Sequence, residues 1–298
     1  MVYVELRAKA GDEWAGSLGT NKKAFNADKE LKHMPTPEMN ALSYSPLSQL
    51  ASLIQMNWEC FEPYFPPQTL WEAKLSEISQ IRHRIAHFRL GHPDDYDRLR
   101  QFLRDVDQGF WTFCTSYNDS WPPLPHSSDA VANHFIDLHP LPWSQIETGE
   151  WIQVGNVNRE PVIGVTVNRL RRPWVDRPPE DGAPGYLYDI ELRANDRLFD
   201  YPTVLENTEG LHAQLCHLGL EAFEQSIRLT LPAVLGSGRV IEVVEQFIKS
   251  ATYGVRRGRN PITPKAQALA DEWPEYVLGP HDALMYLGPG MNGRFFKA

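Results

Sequence analysis

Cysteine is scarce in this sequence. The chain of 298 residues has three cysteines, Cys60, Cys114 and Cys216, and none of them belongs to a CxxC pair. An odd number of widely spaced cysteines argues against a disulfide framework, and the lack of CxxC pairs argues against a zinc site made of thiolates. We therefore expect neither a disulfide-stapled fold nor a thiolate metal centre.

Long apolar runs and cofactor motifs are missing as well. No apolar run approaches the roughly 20 residues that a membrane-spanning helix needs. The opening segment, MVYVELRAKAGDEW, has no apolar core of the signal-peptide type. We therefore expect a cytoplasmic protein that makes no membrane contact. The sequence also has no internal repeat, no Gly-rich phosphate loop and no cofactor fingerprint, so we expect no cofactor.

Positive charge is in deficit overall. The net charge of −9 argues against general binding to polyanions such as nucleic acids. One stretch has the opposite balance, because residues 82–104 contain six Arg and three Asp. Such a stretch is either a local site for an anion or an ordinary solvated helix face with ion pairs. The charge count alone favours the helix face.

The composition is that of a folded protein, with 42% hydrophobic and 22% charged residues. The length suits two ordinary domains. A segment rich in Pro and Ser, NDSWPPLPHSS, starts at residue 118 and marks the boundary between them. We predict a helical domain over residues 1–120, a Pro-rich linker over 121–142 and an α+β domain over 143–298.

In the first domain, apolar residues recur at helical spacing in three segments. They predict helices over 47–65, 69–89 and 94–113, the second with Thr69 as its N-cap and Glu72 at the capping-box position. The last two helices are joined by a short turn, so we expect them to pack antiparallel. The third helix is predicted to bury Leu99, Phe102, Leu103, Val106 and Phe110. For residues 1–30 an edge strand, a helix and an extended arm all remain open.

The second domain changes to alternating apolar and polar residues. This pattern predicts strands of an antiparallel sheet over 151–156, 161–170 and 185–192, with a Pro-containing loop over 172–185. Helical spacing returns over 203–229 and 240–248. The alternation of strands and helices indicates an α+β fold, and the sequence does not reveal what this domain does.

The stretch of greatest interest is LSEISQIRHRIAHFR, residues 75–89. Its apolar residues predict a helix with one buried stripe, formed by Leu75, Ile78, Ile81, Ile85 and Phe88. Basic residues occupy the rest of its surface. Among them, Arg82 and His87 are separated by about 7.5 Å along the axis and about 140° around it. Both long side chains can therefore reach one cleft.

Arg82 and His87, with a polar residue after the arginine, form a pattern that closely resembles the signature of the HEPN superfamily. The resemblance also includes the apolar ladder before Arg82, the sequence IAHFR, the break at Gly91 and Pro93, the amphipathic helix after it and the preceding segment NWECFEPYF. It covers residues from about 30 to 120 and no further. His83 stands where the family usually has a small polar residue.

The resemblance implies an α-helical HEPN-like bundle and a metal-independent ribonuclease with Arg82 and His87 as the catalytic pair. It further implies a homodimer in which two motif helices face each other. The biological role that it implies is that of a prokaryotic toxin or phage-defence effector, with an inhibitor or antitoxin protein as a partner. The residue chemistry fits, because imidazole exchanges protons near neutral pH and guanidinium is a permanent forked donor to phosphate. His83, Arg84, Arg89 and Glu77 are candidates for supporting or substrate-binding roles.

Three alternatives remain open. In the first, the protein is a binding or scaffolding protein whose helical domain holds RNA or a nucleotide without cutting it. In the second, Arg82 and His87 simply extend from a packed structural helix. His83 and His87, which are i and i+4, would share a metal ion, with His92, His33 or a carboxylate as third ligand. No spacing points to that third ligand, so we expect no metal.

Overall fold

The structure is a computed structural model that describes residues 1–14, 22–31, 42–116, 120–121, 129–136, 143–147, 150–154, 161–194, 197–256, 258, 263–273 and 276–279. The chain divides into two compact units. Of the described residues, the first unit holds those within 1–6 and 12–118, and the second holds those within 7–11 and 119–288. No helix in the described part of the chain is long and apolar enough to cross a membrane.

The described part of the first unit is helical. The segment left open at the sequence level, 1–30, contains two helices, of which α1 has residues in each unit. The helices are α1 (Val2–Ala10), α2 (Lys22–Lys29), α3 (Leu47–Met56), α4 (Trp58–Phe61), α5 (Gln68–Ala86) and α6 (Asp95–Thr115).

The single helix predicted over 47–65 is divided into α3 and α4 at Asn57. The backbone of Asn57 leaves the helical region, with φ −123° and ψ 36°, and its side-chain amide donates to the carbonyl of Leu53 at 2.9 Å. An Asn side chain that bonds to nearby backbone competes with helix continuation in this way. The helix therefore breaks although the apolar spacing continues across it.

Aromatic side chains form much of the core of the first unit. Phe65 stacks on Trp71 with ring centroids 4.2 Å apart, and Phe61 is fully buried. The Tyr64 hydroxyl donates to the buried carboxylate of Glu5 at 2.8 Å. Helix α6 approaches this region so closely at Gly109 that a Cβ there would lie 1.6 Å from the Tyr64 carbonyl oxygen. Only glycine fits such an approach.

Helices α5 and α6 pack antiparallel, as the short turn predicts. Three ion pairs run in opposite order along the two helices: Lys74 with Asp105, Glu77 with Arg98, and Arg84 with Asp95. The predicted start of α5 is wrong, because Thr69 lies inside the helix and the cap residue is Pro67, which has no side-chain cap bond.

The predicted buried side of α6 is only partly right. Leu99 and Phe110 are exposed, at 37% and 40% of their full side-chain area, and three other members of the predicted set are half-buried. The fully buried positions towards the end of α6 are instead Asp107, Gly109, Trp111 and Phe113. The close approach at Gly109 turns this face towards its neighbours, so the packing contact decides which face is covered.

The described part of the second unit contains a sheet of eight strands. Their order is β2-β3-β4-β5-β7-β6-β8, with β1 paired to β4. All pairings are antiparallel except that of β6 with β8. The strands are β1 (Ser120–Trp121), β2 (Trp143–Glu147), β3 (Glu150–Val154), β4 (Pro161–Arg171), β5 (Tyr186–Ala194), β6 (His217–Glu221), β7 (Ser226–Pro232) and β8 (Val277–Leu278).

The strands predicted over 151–156, 161–170 and 185–192 are confirmed as the antiparallel run β3-β4-β5. The long helix predicted over 203–229 is wrong. That segment contains the helix α8 (Tyr201–Thr208), the 3-10 helix Glu209–Gln214, the strand β6 and the start of β7. Leu218 and Leu220 are buried two residues apart on β6, which is the spacing of a strand.

The segment predicted as a Pro-rich linker, 121–142, contains a helix of the second unit. This helix is α7 (Ala130–Ile136), and it buries Val131, Ala132 and Phe135 completely. Asp129 caps it by accepting the amide N–H of Ala132 at 2.8 Å. The prolines lie outside the helix, so a Pro-rich composition does not prevent a short packed element between them.

Two further helices complete the second unit, α9 (Ser237–Gly254) and α10 (Thr263–Glu272). Helix α9 covers the region predicted as a helix over 240–248 and is longer than predicted. It adds Val240, Val244 and Phe247 to a core shared with alternate residues of β4, β5 and β7. The chain therefore combines a helical N-terminal region with a mainly antiparallel sheet and helices, which agrees with the α+β expectation.

Candidate functional site

Helix α5 continues for about one and a half turns beyond Ile81, its last buried residue. The predicted helix over 69–89 stops at Ala86, and His87 is its C-cap residue. Phe88 follows with a left-handed backbone, φ 51°. The N–H of Phe88 donates to Ile85 O at 3.0 Å and that of Arg89 donates to Arg84 O at 2.9 Å. These two bonds form a Schellman motif, which ends a helix by satisfying its last carbonyls.

The apolar stripe predicted for this helix is buried only in its first part. Leu75, Ile78 and Ile81 are buried, as predicted. Ile85 is 61% exposed and Phe88 is fully exposed, so the prediction is wrong for these two. The reason is that the neighbouring helix α6 begins only at Asp95, and Asp95 lies beside Arg84. No residue of α6 therefore extends alongside the last residues of the stripe.

Arg82 and His87 are both exposed at this uncovered end. Arg82 follows Ile78 by four residues, so it shares the side of the helix that carries the apolar stripe. It has no hydrogen bond or ion pair with any residue that the structure describes. The ring of His87 lies against that of His83, with centroids 4.3 Å apart and planes 63° apart. The structure therefore pairs His87 with His83, and Arg82 has no partner among the described residues.

Arg84 and Glu77 have partners on α6. Arg84 Nη2 donates to Asp95 Oδ1 at 2.5 Å, and the second oxygen of Asp95 accepts the backbone N–H of His92 at 2.8 Å. Glu77 accepts from Arg98, and this hydrogen bond and charge raise the pKa of the Arg98 guanidinium. Glu77 therefore pairs with a basic side chain of the neighbouring helix. Asp95 was missed as a site residue, since its sequence position indicated only a favourable charge at a helix start.

Two grooves lie on either side of Arg84. The smaller, of about 260 Å³, is lined by Glu77, Gln80, Ile81, Arg84, His92, Asp95 and Arg98. The larger, of about 470 Å³, is lined by Ser76, Ser79, Gln80, His83, Arg84 and Arg89. The second groove brings together three predicted supporting residues, His83, Arg84 and Arg89. Ser76, Ser79 and Gln80 were not predicted, although their spacing along the helix places them on the side of His83.

The metal alternative gains no third ligand from the structure. No group of three His, Cys, Asp or Glu residues that could hold an ion occurs among the residues that the structure describes. His33, one of the candidate third ligands, lies outside the described residues. Among the described residues, His83 and His87 therefore supply two of the three or four protein ligands that a zinc site needs.

Comparison with family models, with curated proteins and with solved structures finds no match for this chain. The resemblance to the HEPN superfamily therefore rests on the sequence features described above, and the catalytic roles that it implies stay predictions.

Proposed function

We propose that this protein is a metal-independent endoribonuclease in which Arg82 and His87 act on the scissile phosphate. One observation carries the proposal: both residues are exposed at an uncovered helix end, and Arg82 has no ion pair among the described residues. By contrast, Arg84 is held by Asp95 and Arg98 by Glu77. A guanidinium that is not neutralised by a carboxylate is available for a phosphate.

In the proposed reaction, the 2′-hydroxyl of a ribose loses its proton and attacks the adjacent phosphorus. The bond from phosphorus to the 5′ oxygen breaks, and that oxygen takes up a proton. His87 serves as one of the two proton-transfer groups, because its imidazole exchanges protons near neutral pH. Arg82 offsets the extra negative charge on the phosphate in the transition state. The products are a 2′,3′-cyclic phosphate and a free 5′-hydroxyl.

A homodimer through the N-terminal helices is part of the proposal. One α5 helix offers a single Arg82 and a single His87 on an open surface. Ile85 continues the buried apolar stripe of α5 and is 61% exposed. It therefore offers a second copy of the chain an apolar contact near Arg82 and His87. A two-fold axis at this position would bring two copies of both residues to one cleft. Light scattering at micromolar concentration should give twice the mass of the chain, and an active, strictly monomeric protein would contradict this part.

The decisive experiment compares the intact chain with Arg82→Ala and His87→Ala. Each variant should lose cleavage by about 10²-fold or more, since a transition-state charge contact is removed. Circular dichroism should show unchanged helix content, because both side chains are exposed. Arg100→Ala, which removes an exposed arginine of α6 that pairs with Asp97, is the matched control and should cut normally. Near-normal activity of either folded site variant would end the assignment.

The product ends and the effect of a chelator separate this proposal from its rivals. DNA of the same sequence should be spared, and one 2′-O-methyl group should protect the cleaved nucleotide. Cleavage should continue in EDTA. A metal-dependent mechanism through His83 and His87 would instead stop in EDTA and would typically use water as the nucleophile, which leaves 5′-phosphate ends.

The second candidate function is binding of RNA or a nucleotide without cleavage. The groove that contains His83, Arg84 and Arg89 favours it, since neither Arg82 nor His87 lines that groove. Affinity for RNA with no new ends would support this candidate. A role as a toxin or phage-defence effector, held in check by an inhibitor or antitoxin, predicts that expression of the intact chain stops growth. The His87→Ala chain should then be tolerated.

A further inference from the structure

The larger groove beside α5 is rich in groups that donate hydrogen bonds to anions or to hydroxyls. Among the residues that the structure describes, its walls are Ser76, Ser79, Gln80, His83, Arg84 and Arg89, and none of these is a carboxylate. The first five are spaced along α5 so that they share one side of the helix. The groove is therefore a donor-rich surface built on a regular element, in a protein whose net charge is −9.

The smaller groove on the other side of Arg84 has the opposite character. It contains the carboxylates of Glu77 and Asp95, which are paired with Arg98 and Arg84. Its charges cancel within the groove, and an anion there would meet two carboxylates. An anion should therefore enter the larger groove and avoid the smaller one.

Several donors of the larger groove are unused. Arg84 binds Asp95 through Nη2, while its buried Nε has no hydrogen-bond partner among the described residues. The side chains of Ser76, Ser79 and Arg89 likewise show no hydrogen bond to any described residue. Ser76, Ser79 and Arg89 are exposed, so their donors can contact a ligand that enters the groove.

We propose that this groove binds a backbone phosphate of the RNA strand next to the phosphate that is cut. The proposal rests on the function proposed above and extends it to the substrate on both sides of the cut. The link is His83, which lines the groove and whose ring touches that of His87. A phosphate held by Arg89 and the serine hydroxyls would thus lie beside His87.

The test measures binding of the full chain to a single-stranded RNA with 2′-O-methyl groups, which is not cut, by fluorescence anisotropy at several salt concentrations. Arg89→Ala should weaken binding about 10-fold, the effect of losing a hydrogen bond to a charged group. The slope of log affinity against log salt should fall by about 0.7, the value for one phosphate contact on a single strand. Arg89→Lys should keep the slope, and Arg100→Ala should change nothing.

Cleavage assays on an unmodified RNA supply an independent readout. Arg89→Ala should raise KM about 10-fold and leave kcat near that of the intact chain, because the contact is the same in ground and transition states. Ser79→Ala should act in the same direction and more weakly. A loss of kcat with unchanged KM in Arg89→Ala would overturn the assignment of a phosphate subsite.

The outcomes distinguish this inference from the proposed function. If the intact chain cuts RNA and Arg89→Ala binds as tightly as the intact chain, the groove proposal is wrong and the function stands. If the chain never cuts but Arg89→Ala weakens RNA binding as described, the function is wrong and the groove still binds RNA phosphate. If ATP or inorganic phosphate displaces the RNA at micromolar concentration, the groove is a site for a free phosphate compound and the RNA assignment is overturned.

Discussion

The two ends of α5 differ in what surrounds them, although the helix is continuous. Over its first part, Trp71, Leu75 and Ile78 are buried, and Trp71 stacks on Phe65 and lies against Phe102 of α6. At its last turn, Ile85 is 61% exposed, and the nearby Arg82 and His87 are exposed as well. The difference shows that stability is concentrated at the start of the helix, which leaves its end available for binding and chemistry.

The largest expected effect on stability is at the contact between α6 and the backbone of Tyr64. Gly109→Ala would place a Cβ 1.6 Å from the carbonyl oxygen of Tyr64, so helix and backbone must separate. We expect a loss of more than about 4 kcal/mol in the free energy of unfolding, measured by urea denaturation. Gly210→Ala, where a Cβ meets nothing within 4 Å, is the control. An unchanged unfolding midpoint for Gly109→Ala would show that this contact is misplaced.

The same substitution at two positions of the stripe tests the comparison directly. Ile78→Ala should lower the free energy of unfolding by about 2–5 kcal/mol, because it empties a buried position. Ile85→Ala should lower it by less than about 0.5 kcal/mol, because the side chain is mostly exposed. Denaturation should be measured at a concentration where the protein is monomeric. Equal losses at the two positions would mean that Ile85 is covered in solution.

The ion pair between Arg84 and Asp95 joins the end of α5 to the start of α6. Asp95→Asn should lower the free energy of unfolding by about 1–2 kcal/mol, since the carboxylate is buried but Arg84 is more than a third exposed. Arg84 would then lose its carboxylate, and affinity for RNA should rise. Asp97→Asn is the exposed control. The free energy of unfolding and the RNA affinity should both be measured at several salt concentrations. Unchanged RNA affinity would argue against the idea that Asp95 keeps Arg84 from binding phosphate while Arg82 is free to do so.

The smallest expected effect is a gain in the free energy of unfolding. Phe88 has φ 51° at the left-handed position of the Schellman motif that ends α5, and its side chain is fully exposed. Phe88→Gly should raise the free energy of unfolding by about 0.5–1 kcal/mol, because glycine adopts this conformation without strain. Leu90→Gly, where φ is ordinary and the side chain is equally exposed, should give no gain. A thermal melt of both variants is sufficient, and destabilisation by Phe88→Gly would show that this side chain packs on something.

Much of the fold could be predicted from local patterns, and the largest failure has a physical cause. The strands β3, β4 and β5 and the helices α5 and α6 follow from spacing alone. The segment 203–229 does not, because Leu211, Leu215 and Leu218 fit helical spacing while Leu218 and Leu220 fit a strand. A short segment that satisfies both patterns takes the form that its partners allow, and pairing of β6 with β7 decides for the strand.

The sequence by itself determined the residue types of the candidate site and the sides of α5 on which they lie, because a helix converts spacing into direction. It also determined the turn that makes α5 and α6 antiparallel. Only the tertiary structure decided which arginines are neutralised, since Arg84 and Asp95 are 11 residues apart and Glu77 and Arg98 are 21 apart. It also decided where burial stops, because an apolar residue is buried only if another element reaches it, and α6 does not extend past Arg84.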